Sequence, residues 1–140
     1  APAFESGGAG MCSTIDDYMN FNQMLMNKGI YKGRKIMSEK TIDFMTSGQL
    51  TQEQQKTFNW DSLEGYSYGN LLRVMKWPEN GTHLSTYGEY GWDGWLGAYM
   101  MNVPKEKLSF ILMYQKKDAG TTSFTRRMKN VLYSTLKNGE

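Results

Sequence analysis

Few residues in this chain could do covalent chemistry, and they are scattered. His83 and Cys12 are the only side chains of their types. His83 follows a turn-forming stretch and reads as a solvated imidazole rather than a catalytic base. Cys12 stands just before a helix start, where a thiol can be acidified into a nucleophile; the reading adopted is a small, buried, inert thiol. Ser134-Thr135-Leu136-Lys137 and Tyr18-Met19-Asn20 match Ser-x-x-Lys and Tyr-x-Asn by their letters, and motifs this short need structural context to count. Gly91-Trp92-Asp93-Gly94-Trp95-Leu96-Gly97 carries two indoles able to stack on a ligand, around a glycine that lets one lie close to a strand edge. Tyr66, Tyr68 and Tyr90 read first as cross-strand packing.

The elements that must position these residues follow from periodicity. Ser13-Thr14-Ile15-Asp16 resembles a capping box, and Ile15, Tyr18, Phe21 and Leu25 recur at helical spacing up to Gly29, which predicts a helix over 14–28. Ser38 opens a second, short helix through Ile42 and Met45. Residues 49–64 are polar and poorly periodic, a loop or weak helix. From Gly65 the period becomes two through Tyr66, Tyr68, Leu72 and Val74, predicting one strand that stops at Trp77-Pro78. Pro78-Glu79-Asn80-Gly81 predicts a tight hairpin turn. Residues 96–103 and 108–115 predict a hairpin around Pro104-Lys105-Glu106-Lys107, with the second strand covered on both faces. Phe124, Met128, Val131, Leu132 and Leu136 predict the inner face of a final helix at 121–138, capped by Thr121 or Thr122, with Arg126, Arg127, Lys129 and Lys137 in water. Asp16 and Asp17 are first-turn acids.

The expected fold class is therefore α+β: residues 1–60 mainly helical, a meander of three or four antiparallel strands over 65–117, then a helix packed on the sheet, all in one domain of 140 residues. Apolar residues at 39% and charged residues at 21% suit a chain with a packed core. A net charge of +2, with no aromatic-interleaved basic run, argues against nucleic acid as a partner. No run of about 18 apolar residues predicts a membrane span. With one cysteine and no Cys/His cluster, no disulfide, metal or other cofactor is expected, and the eleven methionines suggest an adaptable core.

Three stretches, in order, resemble one family. Ser6-Gly7-Gly8-Ala9-Gly10-Met11-Cys12-Ser13-Thr14 with Asp17, Tyr18 and Phe21 is similar to the glycine-rich loop and helix start of class C β-lactamase-like and penicillin-binding proteins. Gly65-Tyr66-Ser67-Tyr68-Gly69 resembles their tyrosine- and glycine-rich strand. Trp92-Asp93-Gly94 resembles their third active-site motif, Lys-Thr-Gly in true β-lactamases and often Trp-x-Gly or His-x-Gly in esterase-like relatives.

The resemblance, over residues 2–117, implies serine-dependent hydrolysis of a small ester or a peptide through an acyl-enzyme. It also implies that the nucleophile and its tyrosine precede this region, so that the chain is a C-terminal portion, inactive by itself, with no nucleophile of its own. Ser134–Lys137 and Tyr18–Asn20 do not stand at the family's positions and are read as chance. The roles implied here are the Trp95 backbone N–H as oxyanion donor, Gly94 as the residue that leaves room for substrate, and Trp92, Asp93 and Tyr90 as substrate contacts. A tryptophan where β-lactamases carry lysine removes the ammonium that would meet a β-lactam carboxylate. The rivals are a non-catalytic module binding cell-wall peptide or glycan through Tyr90, Trp92 and Trp95, and an assembly fragment that dimerises through an open strand edge near 108–116.

Overall fold

The computed structural model describes residues 4, 6–8, 10–60, 62–117 and 123–136. Helix α1 spans Ile15–Met26, and Thr14 caps it by accepting a hydrogen bond from the Asp17 backbone N–H at 3.2 Å. It ends where Lys28 and Gly29 take positive φ, and a Cβ at Gly29 would lie 2.3 Å from the Met37 carbonyl oxygen. Strands β1 (Ile30–Tyr31) and β2 (Arg34–Lys35) form a small hairpin that periodicity did not suggest. Its turn residues, Lys32 and Gly33, both have positive φ, as a type I′ turn requires. Helix α2 spans Glu39–Met45 behind the Ser38 cap, and α3 spans Gln52–Thr57 behind a Thr51/Gln54 capping box.

The five strands that follow are β3 (Tyr66–Tyr68), β4 (Arg73–Met75), β5 (Tyr90–Asp93), β6 (Tyr99–Val103) and β7 (Leu108–Leu112), paired antiparallel in that order. The single strand expected over 65–77 is thus a hairpin. Its turn runs from Gly69 to Leu72, with the Gly69 N–H donating to the Leu72 carbonyl at 2.8 Å and Leu71 at φ 68°. Tyr68 and Leu72 are four positions apart, an even step, so the alternation runs through the turn unbroken and conceals it. Pro78–Asn80 form a single 3-10 turn and Gly81 has φ −75°, so Asn80-Gly81 is not a hairpin turn; a long loop leads to β5. The β6–β7 hairpin turns where expected, between Val103 and Leu108, with Lys107 in the left-handed conformation, and β7 stops at Leu112 rather than at 115. Strand β6 starts later than expected, because residues 94–98 are the turn from β5.

Helices cover both faces of the sheet. On one, Met24 and Leu25 of α1 and Ile42 of α2 pack against Leu72, Val74, Tyr90, Met100 and Ile111. On the other, Leu132 and Tyr133 of α4 (Ser123–Thr135) pack against Tyr99, Met101, Val103, Phe110 and Leu112. Two helix faces differ from expectation. In α1, Ile15 and Phe21 are exposed and Asn22 is buried. In α4, Phe124 and Val131 are exposed, while Thr125 and Lys129 turn inward with Leu132 and Tyr133. The Thr121 and Thr122 caps lie outside the described residues. No described helix is long and apolar enough to cross a membrane.

Candidate functional site

Strand β5 outruns its neighbour. Its ladder with β4 pairs Val74 with Tyr90 and Arg73 with Gly91, and ends there, while pairing with β6 continues to Asp93. Trp92 and Asp93 therefore present a strand edge on the β4 side that the ladder does not use. The next residues turn sharply: the Gly94 N–H donates to the Ala98 carbonyl at 2.6 Å and the Gly97 N–H to the Gly94 carbonyl at 3.0 Å, with Gly97 at φ 102°. Trp95 stands on this turn, 66% exposed, with the Lys117 ammonium 5.3 Å from its ring centroid.

An aromatic wall flanks that edge. Trp92 is half-buried and meets Tyr68 and Trp60 edge-on, at centroid separations of 5.4 and 6.3 Å. Phe58 contacts both Trp60 and Tyr68. Trp60 is 63% exposed, so much of its indole faces solvent. Sequence spacing did not single out Phe58 or Trp60, because they lie in the aperiodic stretch before β3.

The other two candidates have different positions. Tyr90 points into the core beneath α1 and α2, and burial pushes its phenol up to about 12, so the side chain is a core group rather than a surface contact. Asp93 turns to the α4 side of the sheet, where its Oδ1 lies 2.8 Å from Arg73 Nη1. Burial raises the Asp93 pKa, with Arg73 opposing. This pair ties the end of β5 to β4.

Arg73 belongs to a larger buried polar assembly. Its guanidinium lies between the rings of Tyr66 and Tyr99, 5.4 and 5.0 Å from their centroids. Alongside, Lys129 Nζ donates to Glu89 Oε1 and to Tyr66 Oη, each at 2.7 Å, and Tyr133 Oη donates to Glu89 Oε2 at 2.7 Å. Tyr66 also donates to Glu89. Burial lowers the Lys129 pKa to about 8 against the pull of Glu89. His83, expected in solvent, stacks on Tyr66 at 6.1 Å, and burial with nearby Lys129, Arg126 and Arg73 lowers its pKa to about 3. Cys12, expected to be buried, is exposed.

A family model for the beta-lactamases matches residues 1–133. The chain belongs to the beta-lactamase family. It is similar to two Mycobacterium tuberculosis proteins, Rv1367c of strain H37Rv and uncharacterized protein MT1414 of strain CDC 1551. Each is 32% identical over 100 residues, covering 70% of this chain and 25% of the relative. It is also 30% identical over 112 residues to a Bacillus subtilis protein named N-acetylmuramyl-L-alanine amidase, covering 80% of this chain and 23% of that one. The chain thus spans about a quarter of the length of the curated relatives it matches. The family match and the amidase-named relative support a beta-lactamase-related hydrolase family.

Within this beta-lactamase-family chain one motif look-alike, Tyr18–Asn20, lies in α1, and the other begins in the last turn of α4. Ser134 is exposed and its hydroxyl donates to the Val131 carbonyl at 2.7 Å, while Lys137 lies outside the described residues. Tyr18 and Asn20 are on α1, Tyr18 half-buried against the core and Asn20 exposed. Among the described residues no group of three or more His, Cys, Asp or Glu could hold a metal ion.

Proposed function

We propose that these residues form part of the substrate cleft of a serine hydrolase that cleaves a small ester or a peptide amide through an acyl-enzyme. The strand end at Trp92 and the turn at Gly94-Trp95 border the scissile bond. The Trp95 backbone N–H serves as oxyanion donor, Gly94 leaves room for the substrate, and Trp92 packs against it. The nucleophile comes from outside these 140 residues. The observation that carries the reading is the edge of β5 beyond β4, which leaves a strand end for an extended substrate beside backbone donors, in a chain of the beta-lactamase family.

The test is labelling with a fluorescent penicillin and a fluorophosphonate, read by intact mass. The chain as given takes up no adduct, whereas a longer form that includes a Ser-x-x-Lys segment takes up one equivalent and hydrolyses a p-nitrophenyl ester. A stoichiometric adduct on Ser134 or Cys12 would overturn the proposal.

A second reading has its own observation. The exposed Trp60, backed by Trp92, Tyr68 and Phe58, is a platform suited to a sugar ring, which favours a non-catalytic module for cell-wall glycan or peptide. Saturable binding of soluble glycan fragments by the chain, lost in Trp60→Ala, would support it. In either case β7 is the last strand of the sheet among the described residues, and the proposed dimer forms by pairing at that edge. A molar mass by light scattering that stays monomeric across a concentration series removes the dimer.

A further inference from the structure

On the α4 face of the sheet, a half-open cavity of about 20 Å³ lies between Arg73, the His83 loop and the first turns of α4. Three cationic side chains line it: Arg73, Arg126 and Lys129. Asp93 neutralises Arg73 and Glu89 neutralises Lys129. Arg126 has no carboxylate partner among the described residues, and its Nε is buried without a hydrogen-bond acceptor. A buried donor left in that state costs roughly 1–3 kcal/mol, more when charged. The Ser62 and Thr125 hydroxyls complete the wall, and Thr125 belongs to the positive end of α4. Among the described residues the site thus combines one guanidinium without an ion-pair partner, one unsatisfied donor and an opening to solvent.

Size narrows the ligand. A cavity needs roughly 10–15 Å³ to hold one water, so this one takes a single oxygen or little more, with the remainder of the ligand at the mouth. One oxygen of an anion enters, and an arginine fork pairs in its own plane with the two oxygens of a carboxylate. We propose that this cavity binds the carboxylate of a small molecule or of a peptide end, held chiefly by Arg126.

The chain's only histidine lines the same cavity and reports on it without ambiguity. Sodium chloride is exchanged for sodium acetate at constant ionic strength and pH 7 while the His83 imidazole resonances are followed by NMR. The expected result is a saturable shift with acetate. Arg126→Gln, at a partly exposed position, weakens the midpoint by about tenfold or more, as loss of a charged hydrogen bond implies, while Arg126→Lys retains a weaker response. Circular dichroism establishes that both variants are folded. No saturable shift in the parent chain, or an unchanged midpoint in folded Arg126→Gln, would overturn the proposal. Because the readout needs no turnover, its outcome is independent of the proposed hydrolase activity.

Discussion

Lys129 Nζ lies 2.7 Å from Glu89 Oε1, and the two side chains are only 2% and 1% exposed. Removing Lys129 leaves the buried Glu89 charge with only the Tyr66 and Tyr133 hydroxyls as donors, at a cost of about 3–5 kcal/mol, whereas replacing both charged partners by neutral groups is far milder. Lys129→Met should therefore lower the unfolding free energy by about that amount in urea titration. The double variant Lys129→Met/Glu89→Gln should recover most of the loss. A single variant that loses less than about 1 kcal/mol would mean that the Tyr66 and Tyr133 hydroxyls stabilise the Glu89 charge without Lys129.

His83 should make the chain acid-sensitive. Its folded pKa of about 3 lies below the usual 6.5, so the unfolded chain takes up the proton first as pH falls. Stability contributed by neutral His83 is fully present above about pH 6.5 and is lost progressively toward pH 3, at up to about 1.4 kcal/mol per pH unit. Urea midpoints measured at pH 7, 5.5 and 4 should fall for the parent chain. In His83→Gln the profile should be distinctly flatter; an equal slope in both would assign the acid sensitivity to other groups.

Two glycines on either side of Trp92 separate fold from function. A Cβ at Gly91 would lie 2.0 Å from the Met100 carbonyl oxygen on β6, whereas one at Gly94 meets nothing nearer than the Ala98 Cβ at 3.3 Å. Gly91→Ala should therefore break the β5–β6 ladder and markedly lower the melting temperature. Gly94→Ala should shift stability by no more than about 1 kcal/mol. In a form of the protein carrying the nucleophile, Gly94→Ala should nonetheless reduce ester turnover by crowding the substrate. Unchanged turnover in Gly94→Ala would remove Gly94 from the proposed cleft.

The Ser38 cap, the helix–sheet–helix order and the β6–β7 turn were legible because they rest on local chemistry, whereas the capping box read at Ser13–Asp16 falls one residue early, since Thr14 is the cap of α1. The inward face of α4 was not. Hydrophobicity alone placed Val131 inside and Lys129 outside, but Lys129 has Glu89, 40 residues away, and Tyr66, 63 residues away, as hydrogen-bond partners. A pairing across such separations leaves no periodic trace. Of the proposed cleft, the Gly-Trp-Asp-Gly run marked the turn that ends β5, but alternation could not reveal that Asp93 faces Arg73 or that Trp60 backs Trp92.

Asn22 offers the last test, because it is fully buried and both polar atoms of its side chain lack a partner, although its backbone carbonyl accepts from Asn102 Nδ2 at 3.3 Å. An amide buried without partners costs about 1–3 kcal/mol, and leucine has nearly the same length with no polar atom to satisfy. It sits on α1 beside Met24 and Leu25, which already face apolar neighbours. Asn22→Leu should therefore stabilise the chain by about 1 kcal/mol or more, seen as a higher urea midpoint with an unchanged slope. A loss of stability instead would mean that the amide is satisfied in solution, by a buried water or by a segment docked against α1, and Asn22→Asp would then be more damaging still, since it adds a charge to the same site.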